Sequence, residues 1–485
     1  MKKRLLALLM AGCMVFGMTA CGGGDTTDGT TDAKPTSSAT NNQNNQSSGN
    51  TQNNTTGDGE QVVLRFASWA LGTEEENNLE RQMIKAFEDT HPNIKIEIAD
   101  DIIGAGSWNE ALATAAAGGS LPDVSLISEL PIAVANKWAL DVSSYANSDS
   151  NWAKIPSSLI ESGQYNGKQF GIPTAMNIAG LFINTDLFEE MNVTPLQYGY
   201  SWDEFMGAVE KLHSPSKGIA ALKFVNDFVN FLPYLWDENQ GWYTYDGEKM
   251  YLDSNAFIRS VKETNNLTKY SWFGLTEDQK AVTAGATAGD WEAWNQGYCG
   301  IWYDGSWCCE GYKRDSTYNI EFVGLPDGKS VIIPDYCFIS STTKHPQEAW
   351  EFVKFMFWGT EGINVRMDLD AADDKVAWSN LPLTSDEALI QRYFENYPIK
   401  GVEETYRGMT NGTVVEAFKF APGYSNARWN AMTGITIGDA EVNMAGIVDR
   451  CINGELSIDD YAAQLNKLAN SAIQAERAAV DAATK

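Results

Sequence analysis

Tryptophans set beside carboxylates and amides are the residues of this 485-residue chain whose types and placement could do chemistry. Trp69, Glu129, Asn177, Asp227, Trp242, Asp304, Trp307 and Trp429 all fall at the ends of predicted elements or where the chain crosses between sheets. An indole offers a flat apolar face for C–H packing, and a carboxylate or amide offers planar acceptors and donors for hydroxyl groups. That mixture suits a polyhydroxylated ring, such as a pyranose, held in a cleft. Any one tryptophan taken alone reads as an ordinary core residue; the joint placement at several element ends carries the reading.

Other constellations fail on spacing. The stretch Gly324–Ser330, GLPDGKS, has one residue too few for a phosphate loop and reads as a tight turn. Asp368, Asp370, Asp373 and Asp374 lack the glycine and closing glutamate of a calcium loop and read as a solvated acidic loop. His91, His213 and His345 stand apart, near prolines or helix ends, without zinc spacing. The patterns G-x-S-x-G and G-x-G-x-x-G are absent. We therefore expect no cofactor and no metal. Among 64 acidic residues a glycosidase pair is not excluded by counting, and no local motif picks one out.

Several elements would position these groups. Val62–Ser68 and Ile94–Ile98 read as strands, and Val124–Ile127 as a third, with helices between them and Thr73–Glu76 as a capping box for the first helix. This β-α-β-α-β order predicts a parallel α/β unit whose ligands lie beyond the carboxyl ends of its strands, at Ser68-Trp69 and Ser128-Glu129. Tyr165–Phe188 then runs through an Asn166-Gly167 hairpin turn and Pro173 into the apolar Ile178–Ile183, where the chain changes sheets. Beyond it the texture is mostly helical. Ser201 with Glu204 forms a capping box, Gly241–Leu252 reads as a hairpin about Asp246-Gly247, and Trp294–Lys313 begins as an apolar strand. Tyr318–Phe338 is strand-like with a break at Asp327-Gly328, Pro346–Trp358 is a helix, and another helix runs from Ile458 to about Ala478.

The chain opens with Lys2-Lys3-Arg4, an apolar run from Leu5 to Phe16, and Met18-Thr19-Ala20-Cys21. This reads as a secretory leader, residues 1–21, ending in a lipobox that would lipidate Cys21. Gly22–Glu60 has no aromatic and no large aliphatic residue and would be a tether, roughly 35 Å long as a coil. The net charge of −29 becomes more negative still without the leader's three cations, which argues against nucleic acid as a partner and against adsorption to anionic lipid. Cys299, Cys308, Cys309, Cys337 and Cys451 are odd in number without a C-x-x-C; one bridge is open to them, and buried free thiols are the expectation.

These stretches resemble an extracellular solute-binding protein of an ABC importer, in the carbohydrate-binding group that includes the maltose-binding protein. The marks are the lipobox and tether, the Ala-rich helix into Leu121-Pro122-Asp123-Val124, and Tyr165-Asn166-Gly167-Lys168. Gly180–Phe188, Trp294–Trp307 and Pro346–Phe355 complete them, so the resemblance covers nearly all of Val62–Ala478. It implies a two-lobed α/β fold with three hinge crossings, near Met176–Ile178, Gly300–Tyr303 and Ser340–Thr343, which should run side by side. It divides the chain into residues 61–176 with 302–341 as one lobe, and 177–301 with 342–485 as the other. It also implies stacking roles for Trp307 and Trp429, an altered contact at Asn177, where the family has a carboxylate, and an acidic contact near Asp227. The expected protein is a monomer on the outer face of a bacterial cytoplasmic membrane, reached by the lipid on Cys21, passing an oligosaccharide to an ABC permease. A secreted glycoside hydrolase and a polysaccharide-adhering surface module are the alternatives.

Overall fold

A strand of thirteen residues, Ile172–Asn184, is buried at every position and lies within a nine-stranded sheet. The computed structural model describes residues 61–485 apart from 373–377, 396, 398 and 410–412. The expected leader, Cys21 and the tether lie outside the described residues, as do Asp373 and Asp374. The sheet order is Ile94–Ile98, Val62–Ala67, Val124–Ile127, Ser330–Ile339, Ile172–Asn184, Cys299–Gly305, Ala220–Leu222. Thr413–Val415 adds to Ser330–Ile339, and Ile320–Gly324 adds to Ile172–Asn184. The class is α/β, as the alternating elements predict.

The first unit forms as read: Val62–Ala67 pairs in parallel with both Ile94–Ile98 and Val124–Ile127, through helices Leu79–Thr90 and Trp108–Gly118. The cap of the first helix differs. Asn78 caps it by accepting from the Arg81 N–H, whereas Thr73 and Glu76 close a preceding turn. Ser201 and Glu204 do form their capping box. Asn166 and Gly167 both take left-handed φ, of 50° and 73°, as a two-residue hairpin turn requires. The hairpin expected over Gly241–Leu252 does not form. Trp242, Tyr243 and Thr244 are buried in a single 3₁₀ turn, and Tyr243 packs on Phe257 at 5.2 Å, so core burial overrides the alternating pattern.

Alternation along the strands divides the apolar residues between two faces. Phe66, Phe182 and Trp302 look into one cluster with Phe352 and Trp358. Leu181, Ile183 and Ile301 look into another with Phe205 and Phe228, and Ala67, Ile127 and Phe338 look into a third. The five cysteines at 299, 308, 309, 337 and 451 are buried free thiols.

The crossings are placed differently from the expectation. Gly300–Tyr303 does run beside the central strand, with Ile301 opposite Ile183 and Tyr303 opposite Leu181. Ser340–Thr343 does not. The stretch beside the central strand is Val331–Cys337, opposite Ala179–Ile172, and Ser340 lies about 10 Å beyond it along the chain, its N–H donating to the Asp123 carbonyl. Helix Pro346–Phe357 packs on the first unit through Phe352 against Phe66 and Phe87, and Arg366 pairs with Glu80. Ile320–Gly324 pairs beside Phe182–Asn184, outside that unit.

One close approach tests this register. A Cβ on Gly180 would stand 2.6 Å from the Phe322 ring and 2.8 Å from the Gly324 Cα. Backbone cannot yield as a side chain does, so Gly180→Ala is expected to cost about 1–3 kcal/mol of stability. In denaturant titration this reads as a lower midpoint at unchanged slope; an unchanged midpoint would show that the two strands are not in contact there.

Candidate interlobe ligand site

The segment Glu416–Phe420 is where the candidate residues meet. It follows the short strand Thr413–Val415, and its backbone continues the ladder, the Glu416 N–H donating to the Ile332 carbonyl. The Lys419 carbonyl accepts from the Leu130 N–H, next to Glu129, and the Phe420 carbonyl accepts from the Tyr165 hydroxyl. The Lys419 ammonium pairs with Asp335 at 3.0 Å and lies 5.5 Å from the Trp69 ring and 5.3 Å from the Phe418 ring. Phe418 in turn meets Trp429 edge-on at 5.1 Å. Trp69, Glu129 and Trp429, distant in sequence, thus share one neighbourhood with Asp335, Glu416, Phe418 and Lys419.

Asn177 lies at the middle of the central strand. Its side-chain carbonyl accepts from the Ser306 hydroxyl at 2.8 Å, and its amide donates to Asn380 at 2.7 Å. Asn380 lines a cavity of about 50 Å³ with Trp69, Thr174, Asp335, Arg366 and Trp378. Trp307 follows Ser306, and its ring covers Gly305 so closely that a Cβ there would stand 2.1 Å from it. Any side chain at that position would displace the Trp307 ring.

The remaining candidates surround Tyr303. Its ring stacks on Phe231 at 5.2 Å and faces Trp242 at 6.4 Å. Burial raises the Tyr303 hydroxyl well above its ordinary value, and the Asp227, Asp304 and Glu416 carboxylates add to this. Asp227 reaches solvent ahead of helix Phe228–Trp236. The surrounding protein still pushes its carboxyl upward, against the pull of Arg428 and Lys223. Trp242 is nearly enclosed. Asp304 is occupied internally: one oxygen accepts from the Gly305 N–H, the other from the Cys308 thiol and the Tyr312 hydroxyl.

Tyr303, Asp335, Trp378, Asn380, Glu416 and Lys419 were not among the residues that the sequence singled out. Glu416-Ala417-Phe418-Lys419-Phe420 alternates charge with aromatic rings, a local signal of the same kind that marked the others. Asp335 and Asn380 have none, because only folding brings them to Trp69 and Asn177. Among the described residues no group of three or more His, Cys, Asp and Glu is placed to hold a metal ion.

The fold is a nine-stranded sheet whose central strand is covered on both faces, with aromatic and acidic residues gathered near its strand ends. Residues 72–357 match the family described as bacterial extracellular solute-binding protein, and the chain belongs to that family. It is a family of binding proteins, not enzymes. The chain is 24% identical over 314 residues to an uncharacterized ABC transporter extracellular-binding protein of Pyrococcus horikoshii, a match covering 59% of this chain and 66% of that relative. Among solved structures, it is similar to an ABC substrate-binding protein from Listeria monocytogenes in complex with cycloalternan. That likeness has a TM-score of 0.60 at 18% identity over 85% of this chain and 98% of the other. It is similar also to the sugar-binding protein MalE of Xanthomonas citri, with a TM-score of 0.63 at 14% identity over 86% and 98%. These likenesses show the two-lobed binding-protein fold.

Glu416 gives the site a pH signature. Burial pushes its carboxyl from 4.5 up to about 7, the nearby Lys419 charge and the Phe418 N–H opposing and Asp335 adding. Because the folded value is raised, its contribution to stability is fully present below about pH 4.5 and is lost as pH rises through about 7. Glu416→Gln should therefore gain stability relative to wild type across that window, by up to about 3 kcal/mol. Denaturant midpoints at pH 4.5, 6 and 7.5 check this; parallel profiles for the two proteins would mean that Glu416 is not so enclosed.

Proposed function

We propose that this protein captures a carbohydrate of oligosaccharide size between its two lobes and delivers it to an ABC permease. The observation that carries this reading is the convergence of Trp69, Phe418 and Trp429 with Glu129, Asp335, Glu416 and Lys419 beside the central strand. Sugars present apolar ring faces and a rim of hydroxyls, and this neighbourhood supplies rings and hydrogen-bonding groups in the same place. The ligands in the names of similar proteins, cycloalternan among them, agree with this chemistry. The lobes meet along Ile172–Asn184, with Asn177 at the floor of the cleft, and ligand favours the closed arrangement because only that one touches it from both sides. No bond is made or broken. A leader ending at Cys21, with a lipid on that cysteine, holds the protein at the outer face of the membrane.

Titration with a panel of oligosaccharides, followed by tryptophan fluorescence and melting temperature, is expected to shift both signals for at least one sugar. Trp429→Ala should weaken that binding by about fivefold, the loss of one stacked ring. If no sugar shifts either signal while a peptide or polyamine does, the carbohydrate reading is wrong; turnover of a chromogenic glycoside would favour a hydrolase instead. Cys21→Ser is expected to move the protein from the membrane fraction to the medium, and retention in the membrane would remove the lipid anchor from the proposal.

A further inference from the structure

Five large hydrophobic residues are well exposed among the described residues: Val63, Phe273, Val282, Trp291 and Met432. Trp291 differs from the others in how its ring is held. The Lys223 ammonium sits between two indoles, 3.8 Å from the centre of the Trp291 ring and 3.6 Å from that of Trp302. Trp302 meets Trp291 edge-on at 4.4 Å. Lys223 is only 2% exposed and pairs with Asp290 at 2.9 Å. An ammonium so deeply buried is tolerated only where its partners are fixed. Asp290 and Trp291 are consecutive residues at the start of helix Asp290–Asn295, so the ion pair and the ring contact fix one another. The result is an indole backed by charge and by a second tryptophan, yet 40% exposed. A lone exposed ring is ordinary; one held rigid by a buried ion pair is not.

Its position supplies a reason. Lys223 follows strand Ala220–Leu222, which runs parallel to Cys299–Gly305. The carboxyl ends of these strands are Lys223 on one and Asp304-Gly305 on the other, the side on which ligands lie in such sheets. Trp291, stacked on the Lys223 ammonium at 3.8 Å, therefore stands at this carboxyl-end side of the sheet. A ring already held in place loses little freedom when a ligand stacks on it, and Asp290 neutralises Lys223, so the surface suits an uncharged partner.

We propose that Trp291 is an outer stacking platform for a sugar unit lying beyond the cleft, so that the protein favours longer oligosaccharides over shorter ones. This rests on the carbohydrate reading above. The C–H face of the outer unit packs on the free face of the indole while inner units occupy the cleft around Asn177 and Lys419.

The test uses the full chain and two linear series, α-1,4-glucan and β-1,4-xylan oligosaccharides of two and six units, measured by calorimetric titration. Trp291→Ala is expected to weaken the six-unit ligand about fivefold and to leave the two-unit ligand unchanged, with Trp291→Tyr restoring most of the loss. Equal loss at both lengths, or no loss at six units, overturns the proposal. A surface that serves the permease instead would give the second of these results. Should Trp291→Ala fail to fold, oxidation of exposed indoles in wild type by N-bromosuccinimide decides the matter. Protection of Trp291 by the six-unit sugar but not by the two-unit sugar supports the platform, and no protection overturns it. A wild type that binds no saccharide of either series, while other solutes bind, removes the carbohydrate reading and this proposal with it; binding that ignores Trp291 removes this proposal alone.

Discussion

A strand with no face in water constrains everything around it. Every residue from Ile172 to Asn184 is buried, so both faces must be covered and both edges paired. The edges are satisfied by different partners along its length: Val331–Cys337 beside the first part, and Ile301–Gly305 with Ile320–Gly324 beside the rest. The exchange falls near Ala179 and Gly180, where the crowding at Phe322 and Gly324 admits no side chain. Just past the end of one partner strand the Ser306 hydroxyl donates to Asn177, and in the other partner strand Asp335 lies opposite Ala175, two residues away. The candidate site is thus a consequence of how one buried strand is shared between two halves of a sheet.

Buried cations fix the geometry around that opening. Lys419 is held by Asp335, Lys223 by Asp290, and Arg366 by Glu80 and the Met356 carbonyl. Such pairs add little net stability, because desolvation offsets most of the attraction. What they contribute is position. Lys419 reaches Asp335 with its ammonium 5.5 Å from the Trp69 ring and 5.3 Å from the Phe418 ring, so one cation ties both rings to the same place. Arg366 does the same for helix Thr360–Ala372 against helix Leu79–Thr90, which closes the back of the cavity lined by Trp69 and Trp378.

What could be read from the sequence follows from whether a signal is local. The β-α-β-α-β unit of residues 62–127, the Ser201 cap and the Asn166-Gly167 turn are each written within a few residues, and they formed as read. The Gly241–Leu252 stretch was misread because its alternation mimics a strand while its aromatic rings are drawn into the core. The crossings were harder. The strand Ser330–Ile339 carries its apolar pattern past Ser340 without punctuation, and only its register against Ala179 tells which of its residues face the cleft. Trp69 and Glu129 stand at strand ends and Trp429 in a motif, and folding gathers all three around Phe418 and Lys419. Asp304 was legible for the same reason and proved to be engaged by Tyr312 and Cys308, since proximity to a site does not decide which way a carboxylate turns.

The carboxyl-terminal helix, Ile458–Thr484, limits how the halves can move. Its 27 residues span about 40 Å. Leu465, Ala469 and Ile473 belong to the core on one side, and Val480 to the core on the other. At its far end Thr484 takes hydrogen bonds from Asn166 and Lys168, beside the hairpin that leads into the central strand. Glu476 meanwhile receives the Gly423 N–H and the Asn426 amide, from the segment that carries Phe418 and Trp429. A helix bonded throughout resists bending, so closure of the proposed kind cannot change the distance between those two attachments. Closure must therefore carry the Asn166–Lys168 hairpin and the Gly423–Asn426 segment together, as two points on one rigid helix.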